Sequence, residues 1–119
     1  MANREAIMLL IDDRPVLSSL QFSLAIEGFQ VVDGGADGID TSVAAALVID
    51  QNYLGDGLAV LRDLRMQGCK VPAIVLATNP STGVRARLSA LGGELIEKPL
   101  LGEELSHAIH SLIDVRKAA

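Results

Sequence analysis

Ala6-Ile7-Met8-Leu9-Leu10-Ile11-Asp12-Asp13 is an unbroken apolar run that ends in two acids. A strand with one wet face alternates apolar and polar residues. A continuous run fits a strand buried on both faces, as in a parallel sheet covered by helices. Two further runs end in the same manner. Ala45-Ala46-Leu47-Val48-Ile49 leads into Asp50, and Leu95-Ile96 leads through Glu97 to Lys98-Pro99. If these runs are parallel strands of one sheet, the aspartates and the lysine meet at one edge. Carboxylates gathered at one point repel one another unless a cation sits among them. The arrangement points to a divalent metal and to phosphate chemistry.

Working outward, the strands are expected near residues 6–11, 30–32, 45–49, 73–77 and 94–96, with helical patterns between them. Val16, Leu17, Leu20 and Leu24 mark the apolar face of a first helix that stops before Gly28. Glycine there suits the left-handed residue that commonly follows a helix. Leu58, Leu61 and Leu64 mark a helix ending before Gly68, and Val84, Leu88 and Leu91 one ending at Gly92-Gly93. Leu105, Ala108, Ile109 and Leu112 mark the last, after Gly102. Strands alternating with helices imply right-handed crossovers and an open α/β sheet. Sites in such sheets form beyond the carboxyl ends of the strands, where Asp12, Asp13, Asp50, Thr78 and Lys98 all fall. The crossover from Asp33 to Val43 is too short for more than one or two helical turns, expected near 38–42.

The composition fits that reading. The chain has 119 residues, half of them apolar, enough for a single domain over 1–119 and not for two. No run approaches the ~18 apolar residues of a membrane span, and the start lacks a signal-peptide layout. A net charge of −5 with 3% aromatics argues against nucleic-acid binding by this domain. The lone Cys69 allows no internal disulfide, so a cytoplasmic location is the default. Met1 close to the first strand suggests an N-terminal or single-domain protein.

Each acid has a plain structural reading. Asp13 suits the N-cap of the first helix, with Arg14-Pro15 in its first turn, and Asp50 suits a turn at a strand end. Capping needs one acid, which leaves the second unexplained. Hard oxygen ligands at strand tips suit Mg²⁺, which takes a few carboxylates and keeps waters for a phosphate. An aspartate beside that metal can attack a phosphoryl donor and form an acyl phosphate. Lys98 could be a solvated lysine. At a strand tip on the same edge it can also bind a carboxylate at rest and a phosphoryl oxygen afterwards. His107 and His110 stand three apart on the last helix, and without a third ligand they read as a solvated helix face. Arg85 and Arg87 are expected on an exposed helix, available to a partner.

In this order and spacing the pieces resemble the receiver domain of two-component response regulators. Leu9-Leu10-Ile11-Asp12-Asp13-Arg14-Pro15 resembles the family's acidic opening. Leu47-Val48-Ile49-Asp50 with Gly55-Asp56-Gly57-Leu58 resembles its phosphoacceptor strand and loop, Pro72-Ala73-Ile74-Val75-Leu76 its fourth strand, and Glu97-Lys98-Pro99-Leu100 its lysine motif. The resemblance covers essentially the whole chain. It implies a flavodoxin-like (CheY-like) five-stranded parallel sheet of order 2-1-3-4-5 with helices on both faces; the short crossover from Asp33 to Val43 shortens the second helix relative to the family. It implies phosphorylation on Asp50, with Asp12, Asp13, Asp50 and the backbone carbonyl of Asn52 around Mg²⁺. Lys98 completes the catalytic pair. The implied phosphodonor is a histidine kinase or histidine phosphotransfer protein, and a homodimer through the last helices is compatible with the family. Such a domain is not an enzyme beyond self-catalysed phosphoryl transfer and autodephosphorylation.

Three positions depart from the pattern. The hydroxyl that binds the phosphoryl group corresponds to Ala77, and Thr78 comes one residue late. A one-residue slip turns a strand side chain to the other face. The aromatic switch position is Leu95, which has no ring to rotate. The loop after Asp50, Gln51-Asn52-Tyr53-Leu54-Gly55, is one residue short and lacks the usual proline. These departures support an alternative, a phosphorylation-independent interaction module. A hydrolase with an aspartyl nucleophile fits less well, because a carboxylate is wanted where Asn52 stands. A flavin site has only the fold in its favour.

Overall fold

The computed structural model describes residues 6–35, 41–98 and 104–118. Five strands form one parallel sheet in the order β2-β1-β3-β4-β5. They are β1 (Ala6–Leu10), β2 (Gln30–Asp33), β3 (Ala46–Asp50), β4 (Ala73–Ala77) and β5 (Glu94–Glu97). Four α-helices connect or follow them: α1 (Arg14–Ile26), α2 (Gly57–Met66), α3 (Thr82–Ala90) and α4 (Glu104–Ala118). The expected flavodoxin-like order is the observed one.

The continuous apolar runs are strands covered on both faces. Side chains alternate across a strand, and the core divides accordingly. Ile7 and Leu9 of β1, Ala46 and Val48 of β3, and Ile74 and Leu76 of β4 face α1 and α4. Met8, Leu10, Leu47, Ile49, Ala73 and Val75 face α2 and α3. Leu17, Leu20 and Leu24 supply the buried stripe of α1, Leu58, Leu61 and Leu64 that of α2, and Leu105, Ile109 and Ile113 that of α4. Burying side chains of this kind stabilises by about 1.5–3 kcal/mol each relative to exposure. The central strands β1, β3 and β4 therefore form the rigid base from which the loops rise.

Helix ends follow their caps. Asp13, Asp56 and Ser81 each accept a backbone N–H in the first turn of α1, α2 and α3. The guanidinium of Arg65 joins the far ends of α2 and α3 by donating to the carbonyls of Leu91, Cys69 and Val71.

Two expectations gain detail. In the β2–β3 crossover the described residues hold one 3-10 turn, Thr41–Val43, and part of the expected segment, residues 38–40, lies outside the described residues. His107 and His110 lie on an exposed face of α4, as expected. The His110 ring also lies 4.8 Å from that of the buried Phe29, tilted by 40°, a contact open to an imidazole because it has an apolar body as well as polar nitrogens.

Candidate functional site

Strand register brings the expected residues to one end of the sheet. Leu10 of β1 lies level with Ile49, Asp50 of β3 with Leu76, and Ala77 of β4 with Glu97. Asp12, Asp13, Asp50, Thr78 and Lys98 thus sit at or just past the carboxyl ends of β1, β3, β4 and β5. The Lys98 N–H extends the sheet by one bond, donating to the Ala77 carbonyl at 2.8 Å.

The centre is the pair of Asp50 and Lys98. The Lys98 ammonium donates to Asp50 Oδ2 at 2.8 Å, with side-chain exposures of 29% and 9% respectively. Asp50 Oδ1 accepts the N–H of Asn52 at 2.9 Å. A buried carboxylate with both oxygens engaged is held in one orientation, and a charge-assisted bond is among the stronger fixings available. Lys98 is exposed enough to follow a new anion placed on Asp50.

The two leading acids have separate partners. Asp13 caps α1 as expected, its Oδ1 accepting Val16 N–H at 3.2 Å, with Pro15 inside the first turn. Asp12, which capping could not explain, accepts the N–H of Leu54 at 2.8 Å through Oδ2. Leu54 belongs to a 3-10 turn, Tyr53–Gly55, on the short loop after Asp50. Its backbone is left-handed, with φ 52° and ψ 30°, a conformation that costs a residue with a Cβ about 1–2 kcal/mol. The turn closes on itself as Gly55 N–H donates to the Asn52 carbonyl at 2.9 Å.

Sequence reasoning missed the part played by this turn. Its first residue, Tyr53, is buried, 4% exposed, and packs into the α2/α3 side of the core. Burial first, then the nearby Asp12 and Asp33 carboxylates, push its phenol above the ordinary tyrosine range. A Cβ on Gly35 would come within 3.2 Å of the Tyr53 hydroxyl, so the ring reaches across to the loop after β2. The only sign in the sequence was the shortened, proline-free loop.

Two ion pairs flank the site. Arg85 of α3 bonds Glu97 at 2.7 Å, and Arg87 bonds Asp56 at 3.3 Å. Burial works to raise the Asp56 pKa, but the Ala59 N–H, the Arg87 guanidinium and the Leu58 N–H outweigh it and hold the carboxyl below its usual range. Both arginines lie exposed on α3 as expected, and they bond to the end of β5 and to the N-cap of α2. Ala77 is fully buried and offers a carbonyl rather than a hydroxyl. Thr78 is exposed just past β4, before Asn79, which is also left-handed with φ 51°. Leu95 packs against the α2/α3 side of the core.

The donor set fits Mg²⁺ in kind. Asp12, Asp13 and Asp50 offer hard carboxylate oxygens, and this ion needs only one or two of them besides waters and phosphate. Each at present accepts a backbone N–H. Among the described residues no three His, Cys, Asp or Glu side chains group as a metal-holding cluster.

No family model matches the chain. It is 34% identical over 114 residues to the response regulator MprA of Mycobacterium avium (strain 104), an alignment that covers 90% of this chain and 50% of that protein. Relatives and fold together support a receiver domain of response regulators. The chain spans about half the length of the curated relatives it matches. It superposes on the Francisella response regulator 1452 receiver domain with a TM-score of 0.80 at 20% identity, covering 95% of this chain and 99% of that one. It superposes equally on the beryllofluoride-activated NtrC4 receiver domain dimer, with a TM-score of 0.80 at 20% identity, covering 92% and 98% of the two chains. At these identities the superpositions show a shared fold. The relatives give no support to the phosphorylation-independent alternative. Among the described residues of the receiver domain no helix is long and apolar enough to cross a membrane.

Proposed function

We propose that Asp50 accepts a phosphoryl group, in a Mg²⁺-dependent transfer from a histidine kinase or histidine phosphotransfer protein, as a step of two-component signal transduction. The observation that carries this reading is the Asp50–Lys98 contact at 2.8 Å, on a buried carboxylate at the strand-end edge of the sheet. A carboxylate oxygen of Asp50 attacks phosphorus. The new P–O bond forms as the donor's P–N bond breaks, and the electron pair leaves on the histidine nitrogen. Lys98 then passes from the carboxylate to a phosphoryl oxygen and balances its charge. Catalysis of this kind rests on positioning and on neutralising the phosphoryl oxygens.

Asp12 and Asp13 would repel an incoming phosphoryl group. A bound Mg²⁺ offsets that repulsion and neutralises phosphoryl charge. Its proposed holders are Asp12, Asp13, Asp50 and the Asn52 carbonyl. Thr78 is the proposed hydroxyl contact, since Ala77 has none. Losing a charge-assisted hydrogen bond of this sort costs roughly 1.5–3 kcal/mol, enough to weaken the response without removing acceptor chemistry. With Leu95 in the aromatic position, the response passes on by a route other than ring rotation. The domain turns over no external substrate in this reading, acts in the cytoplasm and is compatible with a homodimer.

Incubation with Mg²⁺ and acetyl phosphate tests the proposal. The protein should gain one phosphoryl mass, borne by the peptide that contains Asp50, and chelating the metal should prevent the gain. A chain that stays unlabelled with acetyl phosphate and with a panel of histidine kinases is not an acceptor.

A further inference from the structure

Oxygens of the proposed metal holders already accept backbone N–H groups. Asp12 Oδ2 accepts Leu54 N–H at 2.8 Å, and the Asn52 carbonyl accepts Gly55 N–H at 2.9 Å. Both donors belong to the same turn, Tyr53–Gly55. Asp50 is likewise taken up by Asn52 N–H and Lys98. The turn is strained, because Leu54 holds a left-handed backbone that glycine adopts freely and leucine does not. Leu54 is also 67% exposed, so little packing of its side chain holds it there.

We propose that the Tyr53–Leu54–Gly55 turn is a self-capping lid, latched by Asp12, which a divalent cation must displace to reach the acceptor site. The inference rests on the Mg²⁺-dependent reading of Asp50 and goes beyond it. With the lid shut, backbone N–H groups compete with the cation for Asp12 Oδ2 and the Asn52 carbonyl oxygen. With the lid lifted, Asp12 and the Asn52 carbonyl face the site and Leu54 relaxes from its left-handed conformation. Closed and open states then compete, and the apparent metal affinity falls by the fraction of molecules that are open. The strain in Leu54 works against the latch and keeps that fraction from vanishing. The short loop thereby sets the cation concentration at which the acceptor becomes usable.

The test is a Mg²⁺ titration of the whole chain, followed by backbone amide shifts and by hydrogen exchange at Leu54 and Gly55. The Leu54 amide should exchange roughly tenfold faster at saturating Mg²⁺, with the same midpoint as the shifts at Asp13 and Asn52. Leu54→Gly, which removes the strain and favours the shut lid, should raise that midpoint about fivefold. Shifts at Asp13 and Asn52 with unchanged Leu54 exchange, or an unmoved midpoint in Leu54→Gly, would overturn the lid while leaving the acceptor reading intact. Amides that ignore Mg²⁺ throughout would overturn both.

Discussion

Asp50→Asn is expected to abolish phosphoryl transfer to this chain while leaving its fold in place. The amide oxygen keeps the shape of the side chain and can still accept the Asn52 N–H now bonded at 2.9 Å. What disappears is the nucleophile, because an amide has no anionic oxygen to form an acyl phosphate. No neighbouring acid takes over easily. Asp12 and Asp13 are exposed on the loop after β1, and neither holds the Lys98 contact. Labelling by a phosphodonor should fall by at least about 100-fold, the scale expected when a reacting group itself is removed. The cost in stability should stay within about 1–2 kcal/mol. Lys98 loses its carboxylate, but at 29% side-chain exposure it can turn to water. Circular dichroism and a thermal melt check the fold, and intact mass after acetyl phosphate treatment checks the label. A variant labelled as well as the parent would move the acceptor to another residue.

Gly57→Ala is expected to damage the protein through shape alone. Gly57 opens α2, and its N–H donates to the Gln51 carbonyl at 2.7 Å. A Cβ there would lie 2.2 Å from the backbone carbonyl oxygen of Asp50 and 3.0 Å from Ile49 Cγ2. The first of these atoms belongs to the buried end of β3 and cannot swing aside as a side chain could. Either the start of α2 or the acceptor residue must move. Overpacking of this kind costs about 2–3 kcal/mol, which lowers the melting temperature by roughly 10 °C or more in a domain of this size. Labelling of the folded fraction should also slow, since Asp50 is the residue displaced. Thermal melts of the two proteins in parallel measure the first effect, and an unchanged melting temperature would mean that the approach of α2 to β3 is looser than described.

The fold was legible because its central strands are buried on both faces. That burial writes unbroken apolar runs at 6–11, 45–49 and 73–77, and the helix stripes at Leu17, Leu20 and Leu24 or Leu58, Leu61 and Leu64 are as plain. Asp50 and Lys98 were legible as a pair because parallel strands all end at the same edge. The rest was hidden for physical reasons. Asp12 is satisfied by a backbone N–H 42 residues away, and a backbone donor has no identity in the sequence. Leu54 has a left-handed backbone that its side chain disfavours, so residue type pointed away from the observed turn. His110 is exposed, as its polarity suggested, yet its ring also meets that of Phe29, a partner 81 positions away in the chain that residue type does not name. The partners of Arg85 and Arg87 were hidden because Glu97 and Asp56 come near only after the chain has folded.

Beryllofluoride mimics a phosphoryl group on a carboxylate, and its titration in the presence of Mg²⁺, with amide resonances followed residue by residue, probes the proposed phosphoryl-accepting site of Asp50 and Lys98. Saturable shifts are expected, centred on Asp50, Asn52, Thr78 and Lys98, lost on chelation of the metal and absent in Asp50→Asn. Resonances at Asp50 and Lys98 that stay fixed at saturating beryllofluoride and Mg²⁺, or shifts that persist in Asp50→Asn, would contradict that site.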